Sequence, residues 1–132
     1  MKRIILGLSV LLMLAQNGFA RDYTNAELDV KIAEQRTELD KQAWRCNKAM
    51  APQNSNHSNV NDCLKAIKMG KANGYSEKDM SWLFLNAGVI YRYSNKDYIK
   101  AYEYYMKAAK LGETMAQTNL DSLCRKHSWV CK

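Results

Sequence analysis

Lys65-Ala66-Ile67-Lys68-Met69-Gly70 recurs as Lys107-Ala108-Ala109-Lys110-Leu111-Gly112, 42 positions further on. A period near 40 marks arrays of helical hairpins. One hairpin cannot bury its apolar face alone, so such units pack on one another and leave a surface open for binding.

The residues around both hexapeptides read as helix. The first lies in a segment from about Val60 to Lys71, with Cys63, Leu64, Ile67 and Lys71 on one side and Asn73-Gly74 as its stop. The second lies in a segment from about Tyr98 to Leu111. There Ala101, Tyr105 and Ala108 share a stripe, and Gly112 supplies a left-handed stop. Between them, Ser76-Glu77-Lys78-Asp79 predicts a helix start with Ser76 as cap. Met80, Leu83, Ala87, Ile90 and Tyr91 face inward there, and Phe84 and Gly88 widen the buried arc. Ser94-Asn95-Lys96-Asp97 is a turn, and a fifth helix is predicted from about Thr114 to Lys126, carrying Ala116, Leu120 and Cys124. Upstream, Thr24-Asn25-Ala26-Glu27 has the pattern of a capping box. Leu28, Ile32, Leu39, Ala43, Cys46 and Met50 then line one stripe of a long helix. Pro52 and the polar run ending at Asn59, with His57 in it, read as a loop. The expectation is an all-α fold of about five helices in antiparallel hairpins.

Residues 1–20 read as a secretory signal peptide: Lys2 and Arg3, an apolar run from Ile4 to Ala15, then Gly18-Phe19-Ala20. The run is too short for a bilayer span, which needs about 20 residues. The expected product is a single helical-repeat domain, 21–132, periplasmic or secreted, without stable membrane insertion. Loss of Lys2 and Arg3 takes the net charge from +7 to +5. The remaining basic residues are dispersed and read as a solvated surface with a mild preference for acidic partners, and export argues against nucleic acid. All four cysteines, Cys46, Cys63, Cys124 and Cys131, follow the leader. An even count in a small exported domain predicts two disulfides, with three pairings open.

The run from Phe84 to Tyr91, then Asp97-Tyr98-Ile99-Lys100-Ala101, then Tyr104 to Gly112, resembles a tetratricopeptide repeat. The continuation Met115-Ala116-Gln117-Thr118-Asn119-Leu120 is similar to the Sel-like branch of that superfamily. The turn before Asp97 is shorter than the Sel-like loop, and Asp121 stands where that branch has glycine. The resemblance implies stacked antiparallel hairpins. In them Cys46–Cys63 and Cys124–Cys131 would each clamp the open end of a pair, as in some exported Sel-like proteins. It also implies that the first helix of each hairpin lines the concave side. That side would hold Trp82, Leu85, Val89, Arg92 and Tyr93, with Thr118, Ser122 and Arg125 in the next pair.

No catalytic constellation stands out. Cys124-x2-His127-x3-Cys131 is at most half a metal site, and His57 is isolated from it. A thiol nucleophile needs a free cysteine, which two disulfides would not leave. The acidic residues from Glu27 to Asp40 alternate with Lys31 and Arg36, as on a solvated helix face. Hence no enzyme, cofactor or metal is expected.

Tyr91, Tyr93, Tyr98, Tyr102, Tyr104 and Tyr105 make up six of the eight tyrosines. Tyr91, Tyr98 and Tyr105 match core positions, whereas Tyr93, Tyr102 and Tyr104 are left for recognition. The expected partner-binding set is Trp82, Leu85, Arg92, Tyr93, Tyr102, Tyr104 and Arg125. The expected function is a protein-binding module, with an immunity or inhibitor role against an envelope-acting bacterial toxin as its specific form. An envelope assembly or scaffold factor is the first alternative, and a β-lactam or cell-wall hydrolase the second. Oligomeric state is not readable.

Overall fold

The computed structural model describes residues 25–48 and 59–132. The expected signal peptide, Thr24 of the capping box, Met50, and most of the polar loop with His57 lie outside them. Among the described residues there are five α-helices: α1 (Asn25–Lys48), α2 (Val60–Ala72), α3 (Ser81–Tyr93), α4 (Tyr98–Lys110) and α5 (Thr114–Lys126). Two 3-10 turns, Lys78–Met80 and Ser128–Cys131, complete the secondary structure, and no strand occurs among the described residues. The fold is all-α, with two disulfides, Cys46–Cys63 and Cys124–Cys131. The chain divides into two compact units, 1–38 and 39–132, with the division inside α1. In the first unit, the described part of α1 is mostly exposed, and the Thr37 hydroxyl donates back to the Ala33 carbonyl at 2.9 Å. Everything below concerns the second unit.

Local chemistry sets the helix ends. The Asn59 side chain caps α2 by accepting from the Asn61 N–H, and Asp97 caps α4 by accepting from the Lys100 N–H at 3.0 Å. Ser76 is the cap foreseen, and its hydroxyl accepts from the Asp79 N–H at 3.1 Å while Asp79 reaches back. The chain winds there as a 3-10 turn first, so α3 begins at Ser81 rather than directly after the cap. Both α2 and α4 stop in the same way. Gly74 (φ 80°) follows α2 and Gly112 (φ 101°) follows α4. In each case the next N–H crosses back to a helix carbonyl, Tyr75 to Gly70 at 3.0 Å and Glu113 to Ala108 at 3.0 Å.

These stops correct the register of the hexapeptide match. Helices α2 and α4 both have 13 residues, and their starts, Val60 and Tyr98, lie 38 positions apart. Gly112 therefore corresponds to Gly74, and Gly70 corresponds to the buried Ala108. Gly70 is inside α2, where a Cβ would run into the Met80 thioether. The sequence match is one helical turn out of structural register.

Helix α3 is central, and most of its residues are buried. Phe84 meets Tyr104 and Lys107, Gly88 meets Tyr105, and Tyr91 meets Tyr104, a running order that makes α3 and α4 antiparallel. The core joins Cys63, Ala66 and Ile67 of α2 to Leu83, Phe84, Ala87 and Ile90 of α3, Ala101, Tyr105 and Ala108 of α4, and Leu120 and Leu123 of α5. From α1 it takes Leu39 and Cys46, with Gln42 buried between them. Gln42 donates to the Asp62 carbonyl at 2.9 Å, which satisfies a polar group set inside an apolar stripe.

Candidate functional site

Helices α3 and α5 run parallel, as do α2 and α4. Helices α3 and α5 are tied at both ends. The Ser81 hydroxyl and a Glu113 carboxylate oxygen are 2.8 Å apart, and the Arg92 guanidinium donates to the Ser122 hydroxyl at 3.1 Å and the Asn119 carbonyl at 3.3 Å. Trp82 and Tyr93 are exposed at opposite ends of α3, about 16 Å apart along the axis, with the buried Leu85 and Asn86 between them. Met115 and Arg125 are exposed on α5.

The structure does not bring the seven expected partner-binding residues together. Trp82, Tyr93 and Arg125 are exposed on the α3–α5 side. Two members are corrected: Leu85 is 7% exposed and belongs to the core, and Arg92 is 3% exposed and spent on α5. α3 is enclosed on a wide arc, so positions that would face a partner in a two-layer hairpin face neighbours here. Tyr102 is half-buried against the core. Tyr104 lies on a different side, between Phe84 (6.2 Å between centroids) and Tyr91 (5.2 Å).

Arg92 is a buried cation with no carboxylate in ion-pair range among the described residues. Its charge is met by the Asn119 carbonyl, the Ser122 hydroxyl and the face of Tyr93 at 4.9 Å. Beside it, the Tyr105 hydroxyl is sealed from solvent without a hydrogen-bond partner. Its contact with Arg92 is therefore electrostatic proximity, not a formed bond. Burial pushes the Tyr105 hydroxyl up to about 12, outweighing the opposite pull of Arg92.

On the α2–α4 side a groove of about 500 Å³ opens over α3. Leu64, Ile67, Phe84 and Tyr104 supply its apolar lining, and Lys68, Lys71, Lys107 and Glu103 its charged one. The Lys107 ammonium sits 4.7 Å from the Phe84 ring centroid. Glu77 bridges the two walls, 3.2 Å from Lys71 and 3.0 Å from Lys107. The bonds from Lys107 and then Lys71 hold the Glu77 carboxyl below the usual carboxylate range. The bridge is thus present at neutral pH and lost on acidification. Apart from Tyr104, sequence reasoning did not single out this groove. The lysines at three-residue spacing on α2 were the available signal, and they read as an ordinary solvated face.

The sulfurs of Cys124 and Cys131 are bonded to each other, and His127 stacks on Tyr98 at 3.8 Å. No helix among the described residues is long and apolar enough to cross a membrane. The chain matches no known family model, no curated protein and no solved structure.

Proposed function

We propose that this chain is an exported protein-binding module whose specific role is to occupy an envelope-acting bacterial effector, as an immunity or inhibitor protein. The observation that carries the reading is the exposure of every tryptophan. Trp44 is 60% exposed, Trp129 59% and Trp82 38%, while the core is filled by smaller side chains and Tyr105. Tryptophan is the side chain whose removal from water is worth most, and binding hot spots are enriched in it. Trp82 stands on a helix fastened to α5 at both ends, and its exposed area is apolar burial that folding leaves unused and a partner would gain. Two disulfides suit an oxidising compartment, and residues 1–20 have the composition of an export signal. The tetratricopeptide-type assignment belongs to this reading and rests on the residue spacings from Phe84 to Leu120.

The test is affinity capture from periplasmic extract at physiological salt, using oxidised protein and a Trp82→Ala/Tyr93→Ala variant. The expected result is one protein held by the native chain and reduced at least about tenfold by the variant. Identification of that protein as a toxic effector supports the specific role, and recovery of an envelope assembly component replaces it with the scaffold role. An empty capture, or one the variant leaves unchanged, overturns the reading.

A further inference from the structure

We propose that the groove between α2 and α4 receives an acidic segment of a protein partner, with one apolar side chain anchored on the half-buried Leu64 and Tyr104. This gives the chemistry of the partner and rests on the protein-binding reading only in taking the occupant to be a protein segment. Charge complementarity names the occupant. Around the groove Lys68, Lys71 and Lys107 outnumber Glu103 and the bridging Glu77. The two walls extend the imbalance. α2 carries Lys65, Lys68 and Lys71 against Asp62 alone, and α4 carries Lys100, Lys107 and Lys110 against Glu103 alone. Positive charge is thus concentrated on two parallel helices with an apolar trough between them. Exposed lysines alone would hold a carboxylate weakly. Here the Lys107 ammonium lies over the Phe84 ring, and Glu77 fixes both it and Lys71. A carboxylate that meets Lys107 therefore brings its neighbouring side chain onto the apolar floor. An open trough of this volume suits a peptide segment, whose charge would set the rate and specificity of docking while the apolar anchor sets its lifetime.

The experiment uses fluorescence anisotropy with the full oxidised protein and three labelled peptides of equal length. One alternates glutamate with leucine in helical spacing, one has lysine for each glutamate, and one has serine for each leucine. The acidic amphipathic peptide is expected to bind with a Kd of roughly 10–100 μM that weakens with salt, and the other two at least about tenfold more weakly. Lys68→Glu should weaken it by about tenfold while far-UV circular dichroism and the melting temperature stay native. Lys126→Glu, an equal charge change on exposed α5, should leave it unaffected. Vesicles containing phosphatidylglycerol form a parallel arm. The proposal is overturned by equal binding of the basic or serine peptide, by an equal effect of Lys126→Glu, by no peptide binding, or by Lys68-dependent binding of vesicles alone. Peptide failure beside successful Trp82-dependent capture rejects the groove and leaves the module. Peptide binding beside an empty capture does the reverse.

Discussion

At Gly88 and Gly70 the same residue type faces different neighbours, and the difference predicts different outcomes. A Cβ at Gly88 would come within 2.6 Å and 2.7 Å of two Tyr105 ring atoms, and that ring is rigid and fully enclosed. A Cβ at Gly70 would meet the end of Met80, whose thioether can swing aside. Gly88→Ala should therefore destabilise by about 1–3 kcal/mol, even after alanine's helical advantage of up to about 1 kcal/mol. Gly70→Ala should cost less than about 1 kcal/mol, and urea denaturation of the two variants checks the order. Tyr105 also sets an alkaline limit. Its hydroxyl is held neutral up to about 12 in the fold, whereas the unfolded chain ionises it near the ordinary value of 10. Between those values the unfolded state binds fewer protons, so stability is complete below pH 10 and falls as pH rises through 12. Tyr105→Phe should flatten that fall in denaturation midpoints measured from pH 9 upward.

The helices themselves were legible because their ends are local. Ser76, Gly74 and Gly112 act within four residues of themselves, so the caps and stops read from sequence appear in the hydrogen bonds, and Asp97, read only as part of a turn, caps α4 over the same short range. The repeat register was not legible. A glycine can serve close approach, as Gly70 does, or a positive φ, as Gly112 does, and composition cannot separate the two demands. Burial of Leu85 and Arg92 was missed for a tertiary reason, since only the position of α5 decides that Arg92 meets Asn119 and Ser122. The groove needs three helices to exist, so the three-residue spacing of the lysines along α2 did not by itself reveal it. The favoured cysteine pairs do form, with Cα atoms 4.6 Å and 5.7 Å apart. Cys46–Cys63 closes 17 residues and Cys124–Cys131 closes 7. By loop entropy their removal as serine pairs should cost roughly 3 and 2.5 kcal/mol respectively. Because Cys46 and Cys63 are fully buried and Cys124 is not, mild reductant should open Cys124–Cys131 first. Maleimide labelling followed by mass spectrometry reads that order.

Across the unit from residue 39 onward, two sides of the parallel helix pairs differ in character. The α3–α5 side offers separated aromatics and carries Arg125, and the α2–α4 side offers a trough with fixed ammonium groups. The placement of the three indoles has an optical consequence. Because they already face water, heating or urea should barely move the emission maximum excited at 295 nm, while the near-ultraviolet dichroism of the tyrosine core collapses. Fluorescence would then be nearly blind to denaturation and sensitive to docking, with a blue shift of the emission reporting the moment an indole leaves water.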